Sequence, residues 1–284
     1  MLPAVTPRPF IAARWCCEPN NYPMNNDSMS ELWRFRELLY FFAWRDIKVR
    51  YRQAALGAAW ALIQPLFSMI MFTLLFGRLA HMPSDGIPYP IFCYCALVPW
   101  TYFSGVLGLA SVSLTANSSL VEKVYFPRVL LPAGTALAGL IDFAIGSLLL
   151  VVLMFYYHVR PTWALLFSPL VILMMVMLTT GVSMLMAAVN VRYRDVKYVL
   201  PFLIQIWMFA TPIIYPVAMI PVHLRGILSL NPCWGMVNGF RACLFPGQPV
   251  DLTLLGMSAV MTIALFIGGA YYFHRCERSF ADVI

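Results

Sequence analysis

Long apolar segments recur along this chain, and each is about as long as a helix that crosses a lipid bilayer. Of the 284 residues, 61% are hydrophobic and 11% are charged, whereas soluble domains are about one quarter charged. An apolar run of about 18 or more residues can cross the hydrocarbon core as a helix. We therefore predict an all-α integral membrane protein with six spans, at Leu56–Phe76, Ile91–Leu114, Ala133–Tyr157, Trp163–Val189, Val199–Tyr215 and Leu252–Phe273.

The second of these spans is diluted by hydroxyl side chains. Ser104, Ser111 and Ser113 lie within it, and Thr115 follows directly after it. Small and hydroxyl residues let helix backbones approach closely and can form hydrogen bonds between helices. We therefore expect this helix to pack against protein.

The basic residues lie almost entirely on one side of the predicted spans. An even number of spans places both termini on the same side. If that side is the cytoplasm, all of the 19 Lys and Arg residues are cytoplasmic except Arg78, Arg160, Arg225 and Arg241. This is the bias of the positive-inside rule, so we predict that both termini are cytoplasmic. The placement of basic residues on the cytoplasmic side explains the net charge of +7. The sequence contains no basic patch interleaved with aromatic residues, the pattern that would indicate nucleic-acid binding.

The first 52 residues divide into two parts. Residues 1–29 lack the apolar core of a signal peptide, and we expect a disordered tail there. Residues 30–52 carry apolar side chains at three- and four-residue steps, at Leu32, Phe35, Leu39 and Phe42. The pattern predicts an amphipathic helix in the cytoplasmic interface. It serves either as a plain membrane anchor or as a docking surface that includes Arg45, Asp46, Lys48, Arg50 and Arg52.

The loop Asn117–Pro132 is short, charged and bracketed by predicted helices. Two prolines interrupt it, and three apolar residues, Val124, Tyr125 and Phe126, lie outside any span. An exposed aromatic knob beside charged residues suits insertion into the cleft of a partner protein. A loop that packs on its own chain is the alternative.

Residues 53–284 form one six-span domain in this interpretation, with an unusual segment at about 216–251. The segment is too apolar for a solvated loop, and glycines and prolines interrupt it repeatedly. Irregular backbone that faces lipid would leave its polar groups without hydrogen-bond partners. We therefore expect re-entrant helices that dip into the outer leaflet and gate a cavity.

Asp142 is the one acid well inside a predicted span. Intramembrane carboxylates often act as proton relays or ion sites. The sequence offers no obvious basic partner for Asp142 in another span. Its two interpretations are a hydrogen bond to neighbouring helices and a role in proton coupling.

The chain lacks the sequence signals of an enzyme or of an energy source. None of its lysines lies in a G-x-x-x-x-G-K-[ST] phosphate loop, and there is no serine elbow or H-E-x-x-H motif. The cysteines have no metal-binding spacing. Cys233 and Cys243 would both face the outer side, which allows a disulfide between them, but we expect unpaired thiols. We predict no metal and no cofactor bound directly by this chain.

Several segments together resemble the permease subunit of ABC-2 type exporters that move lipid-linked polysaccharide, the O-antigen, capsule and teichoic acid group. The likeness runs from about Met29 to Ile284 and looks most like the O-antigen branch. It rests on ELLYFFAWRDIKVRYRQAALGAAWALIQPL at 37–66, LVEKVYFPRVLLP at 120–132, NVRYRDVKYVLPFLIQIWMFATPIIYP at 190–216, NP at 231–232 and FADVI at the end.

The resemblance implies a homodimer that binds two copies of a separate cytoplasmic ATPase, which holds ATP and Mg. The loop at 117–132 would then contact the ATPase through Glu122, Lys123, Phe126, Pro127 and Arg128. The re-entrant segment would form the outer gate, and the sugar would pass between the protomers. Arg50 and Arg52 would attract the lipid-linked pyrophosphate or bulk anionic lipid.

Aromatic side chains can grip the apolar faces of sugar rings without fixing one register. The candidates for lining the path are Tyr94, Trp100, Tyr102, Phe103, Trp207, Phe209 and Tyr215; anchoring at the bilayer interface is the alternative role for such residues. Two other functions stay open: an ABC-2 exporter of a small lipid or drug, and a proton-coupled secondary carrier that uses Asp142. A membrane transferase ranks last because a catalytic acid pair is missing.

Overall fold

The computed structural model describes residues 35–52, 59–159, 162–248, 251–277 and 280. Within these ranges the chain forms helices and no strand. The predicted tail at 1–29 and the first residues of the predicted interface helix lie outside them. In chain order the α-helices are α1 (Arg36–Arg52), α2 (Trp60–Phe72), α3 (Tyr89–Ser111), α4 (Ser113–Ala116), α5 (Ser118–Lys123), α6 (Leu130–Tyr156), α7 (Ser168–Arg192), α8 (Val196–Ala210), α9 (Val222–Leu228), α10 (Pro232–Leu244) and α11 (Leu252–Glu277).

Among the described residues, five continuous helical segments are long and apolar enough to cross a membrane. Helix α2 continues into π-helical turns at Thr73–Leu79, and a 3₁₀ turn at Trp163–Phe167 leads into α7. The five segments are Trp60–Leu79, Tyr89–Ser111, Leu130–Tyr156, Trp163–Arg192 and Leu252–Glu277. They confirm five of the predicted spans, and the chain is a multi-pass membrane protein.

The remaining apolar helix, α8, is shorter than predicted. It ends at Ala210, and Thr211 adopts an extended backbone with φ −104° and ψ 136°. The reason is Pro212, because a proline disfavours helical backbone in the residue before it. Fifteen residues span about 22 Å, less than the roughly 30 Å of a hydrocarbon core. The last five residues of the predicted span, Thr211–Tyr215, are therefore not part of a helix.

Helix α3 is the centre of the main hydrophobic core. In its most apolar window 78% of the residues are buried, compared with 11–56% in the other four candidate spans. Its side chains pack with those of α6, α7 and α10. The hydroxyl residues of the second span thus predicted correctly that it packs against protein.

Helices α7 and α11 approach each other at a pair of glycines. A Cβ atom on Gly181 would lie 2.5 Å from Cα of Phe266, and one on Gly269 would lie 2.1 Å from the carbonyl oxygen of Gly181. No side chain fits at either position, so backbone contacts backbone, as small residues allow in membrane helix pairs.

A second hydrophobic cluster joins the ends that the charge pattern places on one side. Phe42 of α1, Phe126 of the loop, Val191 of α7 and Phe273 of α11 all belong to it. We call this side of the bundle the basic end. Since α7 ends here and α11 begins at the opposite end, the chain from 193 to 251 must cross the bundle. Helix α8 and the segment after it therefore make the sixth crossing.

The segment at 216–251 contains the two short helices α9 and α10. Helix α10 is buried along almost its whole length, and Trp234 packs with Leu254 near the start of α11. It begins at Pro232, and the side chain of Asn231 accepts the backbone N–H of Cys233 at 3.0 Å, an N-cap that satisfies a free donor of the helix. The segment thus contains helices, of which α10 is buried, and its re-entry into the outer leaflet and its role as a gate stay predictions.

Candidate functional site

The loop between α4 and α6 forms an exposed surface at the basic end. Helix α5 ends at Lys123, and the chain turns extended at Val124 with φ −126° and ψ 132°. Glu122, Lys123 and Val124 are exposed, and Tyr125 is 89% exposed. These four residues, which we call the loop surface, carry both charges and an accessible aromatic ring.

Phe126 does not belong to that surface. Its side chain is 5% exposed, and its ring centroid lies 5.5 Å from that of Phe42 in α1. The expectation of an exposed Phe126 is wrong because neighbouring side chains of an extended chain point in opposite directions. Tyr125 therefore points outward and Phe126 inward, where it and the half-buried Pro127 support the loop from beneath.

Arg128 ties the same loop to the end of α11. Its backbone N–H donates to Oε1 of Glu277 at 2.8 Å, and its guanidinium donates to the backbone carbonyl of Glu277. The loop is thus joined to α11 through Arg128 and Glu277 and to α1 through Phe126.

Helix α1 packs along the first half of α6. Phe42 lies against Gly134, where an added Cβ would approach the Phe42 Cβ to 3.1 Å. Thr135 Oγ1 donates to Asp46 at 3.2 Å, and Arg45 donates to Asp46 at 3.0 Å and to Asn117 at 3.0 Å. Arg45 and Asp46, predicted as docking residues, are thus engaged with their own chain.

Farther along the same contact, Asp142 of α6 has two partners from α1. Arg50 donates to Oδ2 of Asp142 and Tyr51 donates to Oδ1. Burial raises the pKa of the Tyr51 phenol, which keeps it protonated as a donor. The basic partner of Asp142 thus comes from the interface helix and not from another span, a pairing that the sequence analysis did not consider.

Lys48 and Arg52 remain exposed on α1. The exposed aromatic residues of this helix lie nearby: the Tyr40 and Trp44 rings are stacked at 6.4 Å, and the Lys48 ammonium lies 5.4 Å from the Trp44 ring. An aromatic and cationic surface of this kind suits the headgroup region of a bilayer. The predicted docking set thus divides into Arg45, Asp46 and Arg50, which bind other residues of this chain, and Lys48 and Arg52, which are exposed to lipid or a partner.

Four of the seven candidate channel aromatics lie in the protomer core. Each is at most 5% exposed; they are Tyr94, Trp100, Tyr102 and Phe103. The Tyr94 hydroxyl donates to the Gly146 carbonyl at 3.2 Å, and the Tyr102 hydroxyl donates to the Ala136 carbonyl at 3.1 Å. Tyr94 and Tyr102 thus join α3 to α6.

The other three aromatics lie on or beside α8. Phe209 is 53% exposed, and the Tyr215 hydroxyl donates to the Phe209 carbonyl at 2.9 Å. Trp207 is half-buried; its indole N–H donates to Asn231 Oδ1 at 2.8 Å, and its ring packs edge-on to Phe103 at 5.0 Å. A channel role for Trp207, Phe209 and Tyr215 stays a prediction.

The non-helical stretch Thr211–Tyr215, which we call the break, is held by side chains from three other segments. Asn231 Nδ2 donates to the Ala210 carbonyl at 3.3 Å and to Thr211 Oγ1 at 3.0 Å. The Tyr89 hydroxyl, from the start of α3, donates to the Ile214 carbonyl at 2.8 Å.

Arg241 of α10 holds the middle of the break. Its guanidinium donates to the carbonyls of Pro212 at 2.6 Å and Ile213 at 2.7 Å. It also donates to the Phe92 carbonyl at 3.3 Å and lies 3.7 Å from the centroid of the Phe92 ring. The side chain is 4% exposed. The free carbonyls that follow α8 thus find donors, as burial at membrane depth requires.

Sequence reasoning missed Tyr89 and Arg241 and used Asn231 only as part of a motif. Arg241 was counted as one of four basic residues that topology leaves on the far side. The signal that could have found it is its position as the one charged residue in a 13-residue helix, since a buried cation needs several acceptors.

The part of the chain that the structure describes shows neither a group of metal ligands nor a disulfide. No group of three or more His, Cys, Asp or Glu side chains there is arranged to hold a metal ion. Cys93, Cys95, Cys233 and Cys243 are buried free thiols.

The sequence matches a known protein family. The model of the ABC-2 type transporter family matches residues 37–245, from α1 through the loop surface and the break to the end of α10. The chain belongs to the ABC-2 type transporter family. It is therefore a membrane-embedded transport subunit.

Similar proteins of this family cover nearly the same length. The O-antigen export system permease protein RfbA of Myxococcus xanthus is 30% identical over 257 residues, which is 89% of this chain and 98% of that protein. The RfbA permease of Klebsiella pneumoniae is 26% identical, with 87% and 95% covered. The polysialic acid transport protein KpsM of Escherichia coli is 27% identical, with 82% and 91% covered.

Proposed function

We propose that this ABC-2 chain is the membrane-spanning permease subunit of an ATP-driven exporter of lipid-linked polysaccharide, and that its substrate is an O-antigen. The observation that carries the proposal is the end-to-end similarity to an O-antigen export permease, of which 98% is covered. Similarity to a polysialic acid transport protein supports the same class of substrate, a long sugar polymer.

ATP hydrolysis belongs to a separate cytoplasmic ATPase in this proposal, present in two copies with ATP and Mg. The support is the missing phosphate loop together with the loop surface, which offers Tyr125 beside Glu122 and Lys123. Phe126, Pro127 and Arg128 transmit the contact to α1 and α11 and do not make it themselves.

A second copy of this chain completes the passage. Helix α8 exposes apolar side chains along one face, where Phe202 is 63%, Ile206 50% and Phe209 53% exposed. A face this apolar needs lipid or protein cover, and α8 alone is too short to cross the bilayer. We place the polymer path between two protomers at this face, with Trp207, Phe209 and Tyr215 beside it.

The basic end faces the cytoplasm of a bacterium, and the chain lies in the inner membrane. Support comes from the distribution of Lys and Arg, nearly all of which fall on this side. In this orientation Lys48 and Arg52 lie at the inner leaflet, where anionic headgroups or the pyrophosphate of the substrate arrive, and the break lies toward the periplasm.

The two alternatives are not equally supported. A small lipid or drug as substrate uses the same scaffold and differs only in what passes the protomer interface. A proton-coupled carrier needs a carboxylate free to take up a proton, whereas Asp142 already accepts hydrogen bonds from Arg50 and Tyr51. The pairing favours a structural role for Asp142.

The proposal is tested by complementation. In a strain without its own O-antigen exporter permease, this chain with its ATPase should restore polysaccharide on the cell surface, seen on gels of extracted lipopolysaccharide. The Tyr125→Ala variant should lose surface polymer and accumulate it inside the cell. Tyr156→Ala is the matched control, because Tyr156 is 75% exposed but lies at the opposite end. Equal export by both variants would contradict the role of the loop surface, and no export by the unaltered chain would contradict the proposed substrate.

A further inference from the structure

The cation buried beside the break, Arg241, is an unusual feature. Burying a guanidinium is costly unless its charge and donors are satisfied. Within the described residues no Asp or Glu oxygen lies within ion-pair distance of Arg241. Instead, its Nη1 and Nη2 donate to three backbone carbonyls, and the guanidinium lies over the face of the Phe92 ring, whereas Nε has no hydrogen-bond partner. A methionine would fill similar space at lower cost, so the donors themselves account for an arginine here.

The acceptors of Arg241 connect two parts of the bundle. Pro212 and Ile213 belong to the break, whereas Phe92 belongs to the first turn of α3. Tyr89 makes a parallel connection from α3 to Ile214. Arg241 and Tyr89 together fix the end of α8 to the core helix α3, and Asn231 fixes it to the start of α10.

We propose that Arg241 is a positioning residue that holds the break against α3 and so keeps the outer end of the passage closed. The inference rests on the proposed function, in which α8 borders the path between protomers. With the guanidinium in place, the outer end of α8 and the side chains of Phe209 and Tyr215 have one fixed position. Outward opening requires α8 to leave that position, which breaks the bonds to Pro212 and Ile213.

Hydrogen exchange tests directly whether Arg241 holds the break in position, which we call the clamp. We expect amides of the peptide 211–216 in nanodisc-embedded protein to exchange at least about tenfold faster in Arg241→Lys than in the unaltered chain, because an ammonium lacks the fork of donors that reaches several carbonyls at once. Arg225→Met is the matched control: Arg225 also belongs to a short helix of this segment, but its Nε donates locally to the Ile220 carbonyl at 2.9 Å. Its 211–216 peptide should exchange as in the unaltered chain.

A leak assay tests the gate. Proteoliposomes that contain the chain with its ATPase, loaded with a small fluorescent sugar and given no ATP, should lose the sugar faster with Arg241→Lys than with Arg225→Met. If Arg241→Lys does not fold, Tyr89→Phe replaces it, since that change removes only the bond to Ile214 and should give a smaller increase of the same kind. Unchanged hydrogen exchange in Arg241→Lys would overturn the proposal that Arg241 holds the break. Faster exchange without a faster leak would overturn the proposal that the break keeps the outer end of the passage closed.

The two readouts keep this inference separate from the proposed function. Exchange of the break requires neither ATPase nor polysaccharide, so it reports on Arg241 even if the substrate is a small lipid. Failure of complementation with normal exchange differences would contradict the substrate and leave the clamp intact.

Discussion

The attachment of α1 to α6 through Asp142 yields a prediction that can be worked out from the structure. The side chains of Arg50 and Asp142 are 27% and 29% exposed. Breaking an exposed ion pair costs about 0–1 kcal/mol and breaking a buried one about 3–5 kcal/mol. We therefore expect Asp142→Asn to lower the free energy of unfolding by about 1–3 kcal/mol, because the amide keeps an acceptor for Tyr51 but loses the charge that faces Arg50.

The assay is a double-mutant cycle in mixed detergent micelles with Asp142→Asn, Arg50→Gln and the double variant. If the two residues interact, the double variant loses less than the sum of the single losses, by about 1–2 kcal/mol. Glu37→Gln is the control, because Glu37 is an exposed acid of the same helix and should leave stability unchanged. Strictly additive losses would refute the pairing. Loss of transport by Asp142→Asn with unchanged stability would instead favour proton coupling.

Three further predictions separate the parts of the basic end. Phe126→Ala should lower the free energy of unfolding by about 3–5 kcal/mol, because it leaves a cavity against Phe42. Tyr125→Ala should leave the melting temperature unchanged and lower substrate-stimulated ATPase activity. An equal loss of melting temperature in the two variants would contradict the inward placement of Phe126. Glu277→Ala should reduce polymer exported per ATP hydrolysed without reducing copurification of the ATPase, and an unchanged ratio would contradict transmission through Arg128. Gly181→Ala should lower the melting temperature by forcing α7 from α11, measured beside the unaltered chain.

The helices were largely predictable from the sequence because apolar length and charge asymmetry are local signals. The spans matched except at α8, where the sequence runs on apolar to Tyr215 but Pro212 ends the helix at Ala210. The hydroxyl residues of α3 correctly indicated its central place. These features depend on residue type and spacing alone.

The site residues were less predictable because they depend on packing. The sequence around an aromatic residue in an apolar run is similar whether the side chain faces a channel or the core. The buried Tyr94 and Tyr102 could therefore not be distinguished from the exposed Phe209 by sequence. The partner of Asp142 lies 92 residues away along the chain, and the carbonyls that hold Arg241 come from separate segments. In the loop, one residue separates the exposed Tyr125 from the buried Phe126.

Transport by the purified complex tests the central claim most directly. Inverted vesicles that contain this chain and its partner ATPase should take up lipid-linked O-antigen when ATP is added, and should not do so when either protein is left out. A proton gradient alone should have no effect. Uptake driven by a proton gradient without the ATPase would contradict the assignment as the permease subunit of an ATP-driven polysaccharide exporter.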